Sequence, residues 1–419
     1  MSLAEPAMTA HMSPCGRYQA AGDPVRTRAA GIAIGTMAAL LCVVATLGYA
    51  LVFRLLLIEG RSFIDNFFPF WSWSRFIHEA DVPARIYQFP VLDAFQRSID
   101  ARSYERLPFA YPPSFMLVIW PLGFLTRLAA YGVFMGGSLA LYLAACWHRP
   151  WGRLTTGLGL IVPSTVLAIF TAQNSLLIAA LMIGGCRLTG KRPILAGMLF
   201  GLMSFKPQFG LLLPVALVSA REWRSFAAAA ATVLTGVLAS GAVFGWATWA
   251  ALPMALVHLA RFEAPVARAN ELSPTVSATL RLLGASPVVV QGGQLVAATL
   301  VGGIVFLCFR RGFTPRTTAA LLVGTFFTTP YAFYYDLPIV SYAVLLICID
   351  AQRGRMSLRV WEIVVIAVVL LMPYLWFFTP FGLPYGGIGL AILFGLIVRR
   401  VFFADRHLAP GVTLGAVTG

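Results

Sequence analysis

Residues 61–73 read Arg61-Ser62-Phe63-Ile64-Asp65-Asn66-Phe67-Phe68-Pro69-Phe70-Trp71-Ser72-Trp73. A single carboxylate, Asp65, stands there among Phe63, Ile64, Phe67, Phe68, Phe70 and Trp71, directly after an apolar run at 31–58. An ionisable group at the point where a first helix leaves a bilayer, beside so many aromatics, is costly unless it is paired or does chemistry. One reading makes Asp65 a catalytic base. The other makes the aromatics an interfacial belt and Asp65 the cap of a short helix after Ile64.

The run before this stretch is long enough to cross a membrane, and the whole chain of 419 residues is 59% hydrophobic and only 11% charged. A water-facing surface needs far more charge, so the expected class is an all-α polytopic membrane protein. The net charge of +15 is spread as short arginine clusters between apolar runs. Cytoplasmic loops carry that pattern under the positive-inside rule, and it argues against a nucleic-acid partner. Cys42, Cys146, Cys186, Cys308 and Cys348 fall within or at the ends of apolar runs, and Cys15 in a polar segment, which suits neither a disulfide framework nor a zinc site.

Residues 1–30 read as a cytoplasmic tail rather than a signal peptide, 31–403 as the membrane domain, and 404–419 as a second cytoplasmic tail. A long outer loop, 59–111, carries seven of the sixteen acids. Its patches at Trp71–Ile77 and Val91–Ile99 are expected to form short re-entrant or interfacial helices. Further apolar segments run at 112–126, 129–147, 154–170, 174–189, 193–205, 208–220, 226–247, 287–309, 317–330, 337–350, 360–378 and 385–402. With the arginine clusters inside, everything from residue 154 alternates without conflict. The segment from Pro112 must then enter the membrane without crossing, which leaves about twelve transmembrane helices with both termini inside.

In that topology the less basic turns share the outer side with the long loop. Four of them hold polar residues an ordinary turn would not need: Tyr111-Pro112-Pro113, Gln173-Asn174, Lys206-Pro207-Gln208 and Tyr334-Tyr335-Asp336. Lys206 is one of two lysines in a chain otherwise supplied with arginine, and it lies between apolar runs. An ammonium there fits an anionic ligand such as a phosphate, or else it snorkels to the interface. The amides of Gln173, Asn174 and Gln208 suit sugar hydroxyls. Asp336 is either a helix cap or a partner for Lys206 or an arginine. A second outer loop at 248–285 brings His258, Arg261, Arg268 and Arg281, candidates to clamp a phosphate. His78-Glu79 has Val82 where a zincin would need its second histidine, and no metal site is expected.

The order of these features resembles the GT-C class of polyprenyl-phosphate-sugar-dependent glycosyltransferases, most closely the mannosyltransferase-like family 87. The matching pieces are Asp65 in its Phe-rich loop, Tyr111-Pro112-Pro113 with Pro121-Leu122, Ala172-Gln173-Asn174, Lys206-Pro207-Gln208, the stretch from Asn270 to Leu283, and Thr329-Pro330 through Tyr335-Asp336. The resemblance covers about residues 31–350; Ala172 stands where the pattern has glycine, and nothing after 350 matches. It implies a GT-C fold in the cytoplasmic (inner) membrane with its active site on the outer, periplasmic face. There a hexose, mannose or a relative, would move with inversion from a lipid-linked donor to a hydroxyl of a glycan or glycolipid acceptor. No cofactor is implied beyond the polyprenyl-phosphate sugar itself. Asp65 would be the general base, and Lys206, then Arg261, Arg268, Arg281 and His258, would hold the donor phosphate. Tyr111, Gln173, Asn174, Gln208, Tyr335 and Asp336 would meet the sugar or acceptor. A flippase or transporter of a lipid-linked saccharide is the alternative, disfavoured by the absence of an internal repeat and of paired broken helices.

Overall fold

The computed structural model describes residues 63–103, 106–148, 159–263, 270–352, 358–375 and 383–403, with scattered positions at 36–54 and at 157. The described residues contain helices and no strand. The expected first helix, 31–58, lies largely outside them.

Helix length divides the molecule into two populations. Four helices are long and apolar enough to cross a membrane: α4 (Arg127–Cys146), α9 (Trp223–Phe244), α12 (Pro287–Phe309) and α16 (Tyr385–Phe403). Others are as apolar but shorter, among them α6 (Ser175–Leu188), α7 (Pro193–Leu202), α13 (Pro315–Thr328), α14 (Pro338–Gln352) and α15 (Val360–Leu375). At 1.5 Å per residue, α6, α13 and α14 rise about 21–23 Å, against about 30 Å of hydrocarbon. All three start or end at the arginine-rich end of the bundle. Their other ends, at 171–174 and 329–337, therefore stop inside the thickness spanned by α4, α9, α12 and α16. The hairpin of α7 and α8 (Leu213–Ser219) does the same, turning at Lys206. These turns form a recessed floor.

α13 is the centre, buried at nearly every position and packed on α12, α14 and α16. α14 joins it to α6, which in turn packs on α4 and α7. The closest pairing is α7 on α9, where Gly197 and Gly201 let the backbones approach; a Cβ on either would collide with α9, at the Ser225 carbonyl or at Thr232. Ion pairs fasten the arginine-rich end: fully buried Glu362 of α15 accepts from Arg399 at 2.6 Å and from Arg400, and Arg316 meets Asp350 at 3.3 Å.

A roof covers the floor. The stretch from Phe63 forms a 3-10 turn, Phe63–Phe67, then α1 (Phe68–Glu79), and α2 (Phe89–Ile99) follows. The aromatics of this stretch are an interior, not an interfacial belt: Phe67, Phe68, Phe70 and Trp73 are buried. Phe70 packs on Tyr111, Phe115 and Phe134, and Trp73 on Phe109. Nor does Asp65 cap α1, whose N-cap is Phe67.

The segment from Pro112 forms α3 (Pro113–Ile119) and a 3-10 turn, Trp120–Phe124. Both its ends are bonded to the roof. Tyr87 donates to the Tyr111 carbonyl at 2.7 Å, Trp71 to the Leu125 carbonyl at 2.9 Å, and His78 Nε2 lies 2.8 Å from the Trp120 carbonyl. Its helical part is only 12 residues, Pro113–Phe124, shorter than the four long apolar helices. Ser114 lies against Gly236 of α9 and Trp120 against Phe244, eight residues farther along that helix. The Ser114 contact thus lies about 12 Å farther from the Phe244 end of α9 than the Trp120 contact.

Gly201→Leu should lower the melting temperature of the detergent-solubilised protein, an overpacking cost of about 1–3 kcal/mol. Gly302→Ala, where a Cβ meets nothing within 4 Å, should leave the same thermal-shift curve in place.

Candidate functional site

Lys206 owes its position to Pro207. A residue before proline is pushed out of the helical region, and Lys206 is extended, at φ −126°, between the 3-10 turns Met203–Phe205 and Pro207–Phe209. The helix ends there and the ammonium turns inward. It donates to Asp336 Oδ1 at 2.9 Å, with both residues buried (7% and 2% exposed). Asp336 lies in a third such turn, Tyr334–Asp336, and also accepts from Ser175 Oγ at 2.5 Å and from the Phe333 amide at 3.0 Å. Lys206 Nζ sits 5.3 Å from the centre of the Phe209 ring and 5.8 Å from that of Tyr335. Asp336 thus pairs with Lys206 and also caps its own turn through the Phe333 amide, and with Ser175 it ties together the three turns of the floor.

Asn174 precedes Ser175 at the start of α6. It is fully buried, and among the described residues neither polar atom of its amide closes a well-formed hydrogen bond, with the Tyr111 phenol beside it. Tyr111 lies close by, its ring packed among Phe70, Trp73, Phe109 and Phe115. The Asp336 carboxylate and the Asn174 amide lie near its phenol. Tyr111, Asn174, Lys206, Tyr335 and Asp336 therefore gather at one place. Gln173 is half-buried and donates locally to the Thr171 carbonyl at 3.3 Å. Gln208 is half-buried in the Lys206 turn. Ala172 has φ +52°, the left-handed region that glycine adopts without cost.

Asp65 lies at the same end of the bundle. Asn66 beside it donates to the Phe170 carbonyl at 2.7 Å, at the end of α5 (Pro163–Phe170), which leads directly into the Asn174 turn. Phe67 and Phe70, with ring centres 5.8 Å apart, and Tyr111, 6.2 Å from Phe70, form an aromatic layer between Asp65 and the Lys206 cluster. The Asp65 side chain keeps 27% of its surface exposed and pairs with Arg127 at 3.4 Å.

The candidate phosphate clamp is more dispersed. The second loop begins with a helix, α10 (Ala247–Glu263), which contains Arg261; His258 on it is exposed and lines an apolar cavity of about 650 Å³ with Tyr87, Phe89, Phe109 and Met254. Arg281, on α11 (Val276–Leu282), is exposed and donates to Asn270 at 3.4 Å. That stretch reaches the floor through its backbone, since Tyr334 N donates to the Leu272 carbonyl at 3.0 Å. Arg268 and the Arg261 side chain lie outside the described residues.

The model of glycosyltransferase family 87 matches residues 109–333, more than half of the chain. The chain belongs to glycosyltransferase family 87. No curated protein and no solved structure matches it. The span matched by the family holds Tyr111, Gln173, Asn174, Lys206 and Gln208. Asp65 precedes it, and Tyr335 and Asp336 follow it within three residues. Hydrogen bonds from Lys206 and Ser175 to Asp336, and from Asn66 to Phe170, join these flanking residues to the family's matched segment. Two participants were not singled out from the sequence. Ser175 had no signal beyond its place next to Asn174. Arg127 had one, as a cation in the first turn of an apolar helix.

Because each charge of the buried pair would be stranded without the other, Lys206→Met should destabilise the protein by about 3–5 kcal/mol. The double variant Lys206→Met with Asp336→Leu should recover most of that loss. Thermal unfolding in detergent reads both.

Proposed function

We propose that this family 87 protein is an inverting hexosyltransferase that moves a hexose, mannose or a close relative, from a polyprenyl-phosphate donor to an acceptor hydroxyl. It would do so on the outer face of the cytoplasmic membrane, in a fold of about twelve crossings. The observation that carries this reading is one end of the bundle with two different carboxylates. Asp336 is buried and saturated by Lys206, Ser175 and the Phe333 amide, while Asp65 keeps part of its surface open.

In the displacement, the acceptor oxygen attacks the anomeric carbon as its proton passes to Asp65, and the bond from that carbon to the phosphate oxygen breaks. The leaving polyprenyl phosphate already carries charge at neutral pH, so it needs positioned cations more than an acid. Lys206 is first for that role. Its ammonium gives one hydrogen bond to Asp336, and two N–H groups are left for phosphate oxygens. Arg261, Arg268, Arg281 and His258 stand behind it. The unsatisfied Asn174 amide, with Tyr111, Gln173, Gln208 and Tyr335 around it, suits sugar hydroxyls. The apolar cavity beside Phe109 and α10 offers room for part of an isoprenoid chain.

Asp65→Asn should reduce sugar transfer by about a hundredfold or more in vesicles supplied with polyprenyl-phosphate mannose. Binding of that donor should persist. Unchanged turnover would remove Asp65 from the base position.

A further inference from the structure

α4 begins with a cation, and helix electrostatics would put an anion there. Arg127 occupies its first position, and no acid lies in its first turn. The negative charge comes instead from two distant segments. Arg127 Nη2 lies 3.4 Å from Asp65 Oδ1, and Nη1 lies 3.1 Å from Asp100 Oδ2. The guanidinium also lies over Phe68, its Cζ 5.9 Å from the centre of a fully buried ring. Asp100, just past the end of α2, is held in turn by the Arg102 amide on its other oxygen at 3.1 Å. One planar group therefore joins the Asp65 turn, the end of α2 and the start of α4. A fork is needed for this, because a lysine offers a point charge that reaches one carboxylate well.

We infer that Arg127 is a positioning residue for the transfer reaction, sharing one positive charge between Asp65 and Asp100 and thereby orienting the Asp65 carboxylate and pairing with its charge. This rests on Asp65 as the base. The elements packed on the Asp65 turn carry few other ionisable groups. On α4 there is Tyr131, whose hydroxyl donates to the Ile169 carbonyl at 3.2 Å. On α1, Arg75 pairs with Glu79 and reaches the Gly123 carbonyl at 3.4 Å, and His78 stacks on Trp120. These face the 120–124 turn, and among the described residues Arg127 is the cation paired with Asp65.

The test is transfer kinetics across about pH 4–9 with the full-length protein in vesicles and polyprenyl-phosphate mannose as donor. Arg127→Gln should lower kcat about a hundredfold, as a misplaced catalytic group does, with donor KM within about twofold. It should also move the acid limb of kcat/KM to higher pH, because a carboxylate that loses its cation is protonated more readily. Asp100→Asn should move the same limb to lower pH, since the guanidinium then serves Asp65 alone. Arg127→Lys should restore the limb and only part of kcat.

An unmoved limb in Arg127→Gln overturns the inference. So does a shift of the same sign in both variants, or a loss confined to donor KM. Where Arg127→Gln does not fold, the direction of the Asp100→Asn shift decides. Asp65→Asn measured alongside separates the two levels. Persisting turnover there ends the assignment of the base, whereas an inactive Asp65→Asn with an unmoved Arg127→Gln profile ends only the role of Arg127.

Discussion

Helix length is the constraint from which the rest of this structure follows. A helix of 14 residues, such as α6 or α13, cannot cross about 30 Å of hydrocarbon, so whatever sits at its far end is suspended inside the membrane's thickness. Three turns end at that depth, and backbone groups at a helix end need partners that lipid cannot supply. The turns therefore meet one another, flanked by longer helices and roofed by the loop between residues 63 and 112. Recession and roofing are two consequences of one shortage of residues.

The Lys206–Asp336 pair is what such a floor requires. Each ion alone would carry a heavy desolvation cost, and together, with Ser175 and the Phe333 amide completing the shell, they offset it at contact distance. The pair also fixes register, because its members come from turns 130 residues apart in sequence. Within this well-satisfied cluster the Asn174 amide stands out as unsatisfied. A buried amide without a well-formed hydrogen bond is a standing cost that a hydroxylated ligand would relieve.

Much of the fold could be read from hydropathy. The apolar run 287–309 is α12 to the residue, and 385–402 is α16 to within one. These helices face apolar surroundings on most sides, so composition alone marks their ends. The site was legible only in part, for a physical reason. Polar residues at turns betray themselves by being expensive, as Lys206 and Asp336 do, but which of them touch is a tertiary fact. Asp336 could have been a cap alone until Lys206 was found beside it. Arg127 looked like a break between two apolar segments because its two carboxylate partners lie 62 and 27 residues earlier in the chain. The aromatic stretch suited an interfacial belt as well as an interior, since both bury ring faces; packing against Phe115 and Phe134 decided it.

The division between the two carboxylates follows from their surroundings. Asp336 accepts from Lys206 and Ser175 on one oxygen and from the Phe333 amide on the other, and moving it away would leave an ammonium stranded in the floor. Its chemistry is that of a fixed counter-charge. Asp65 belongs to the roof rather than to the floor, retains 27% of its side-chain surface, and shares its arginine with Asp100. Its charge belongs to a partly exposed network rather than to a buried ion pair. Asp336 is taken up by the floor's own pairing, and Asp65 is the carboxylate with surface left open.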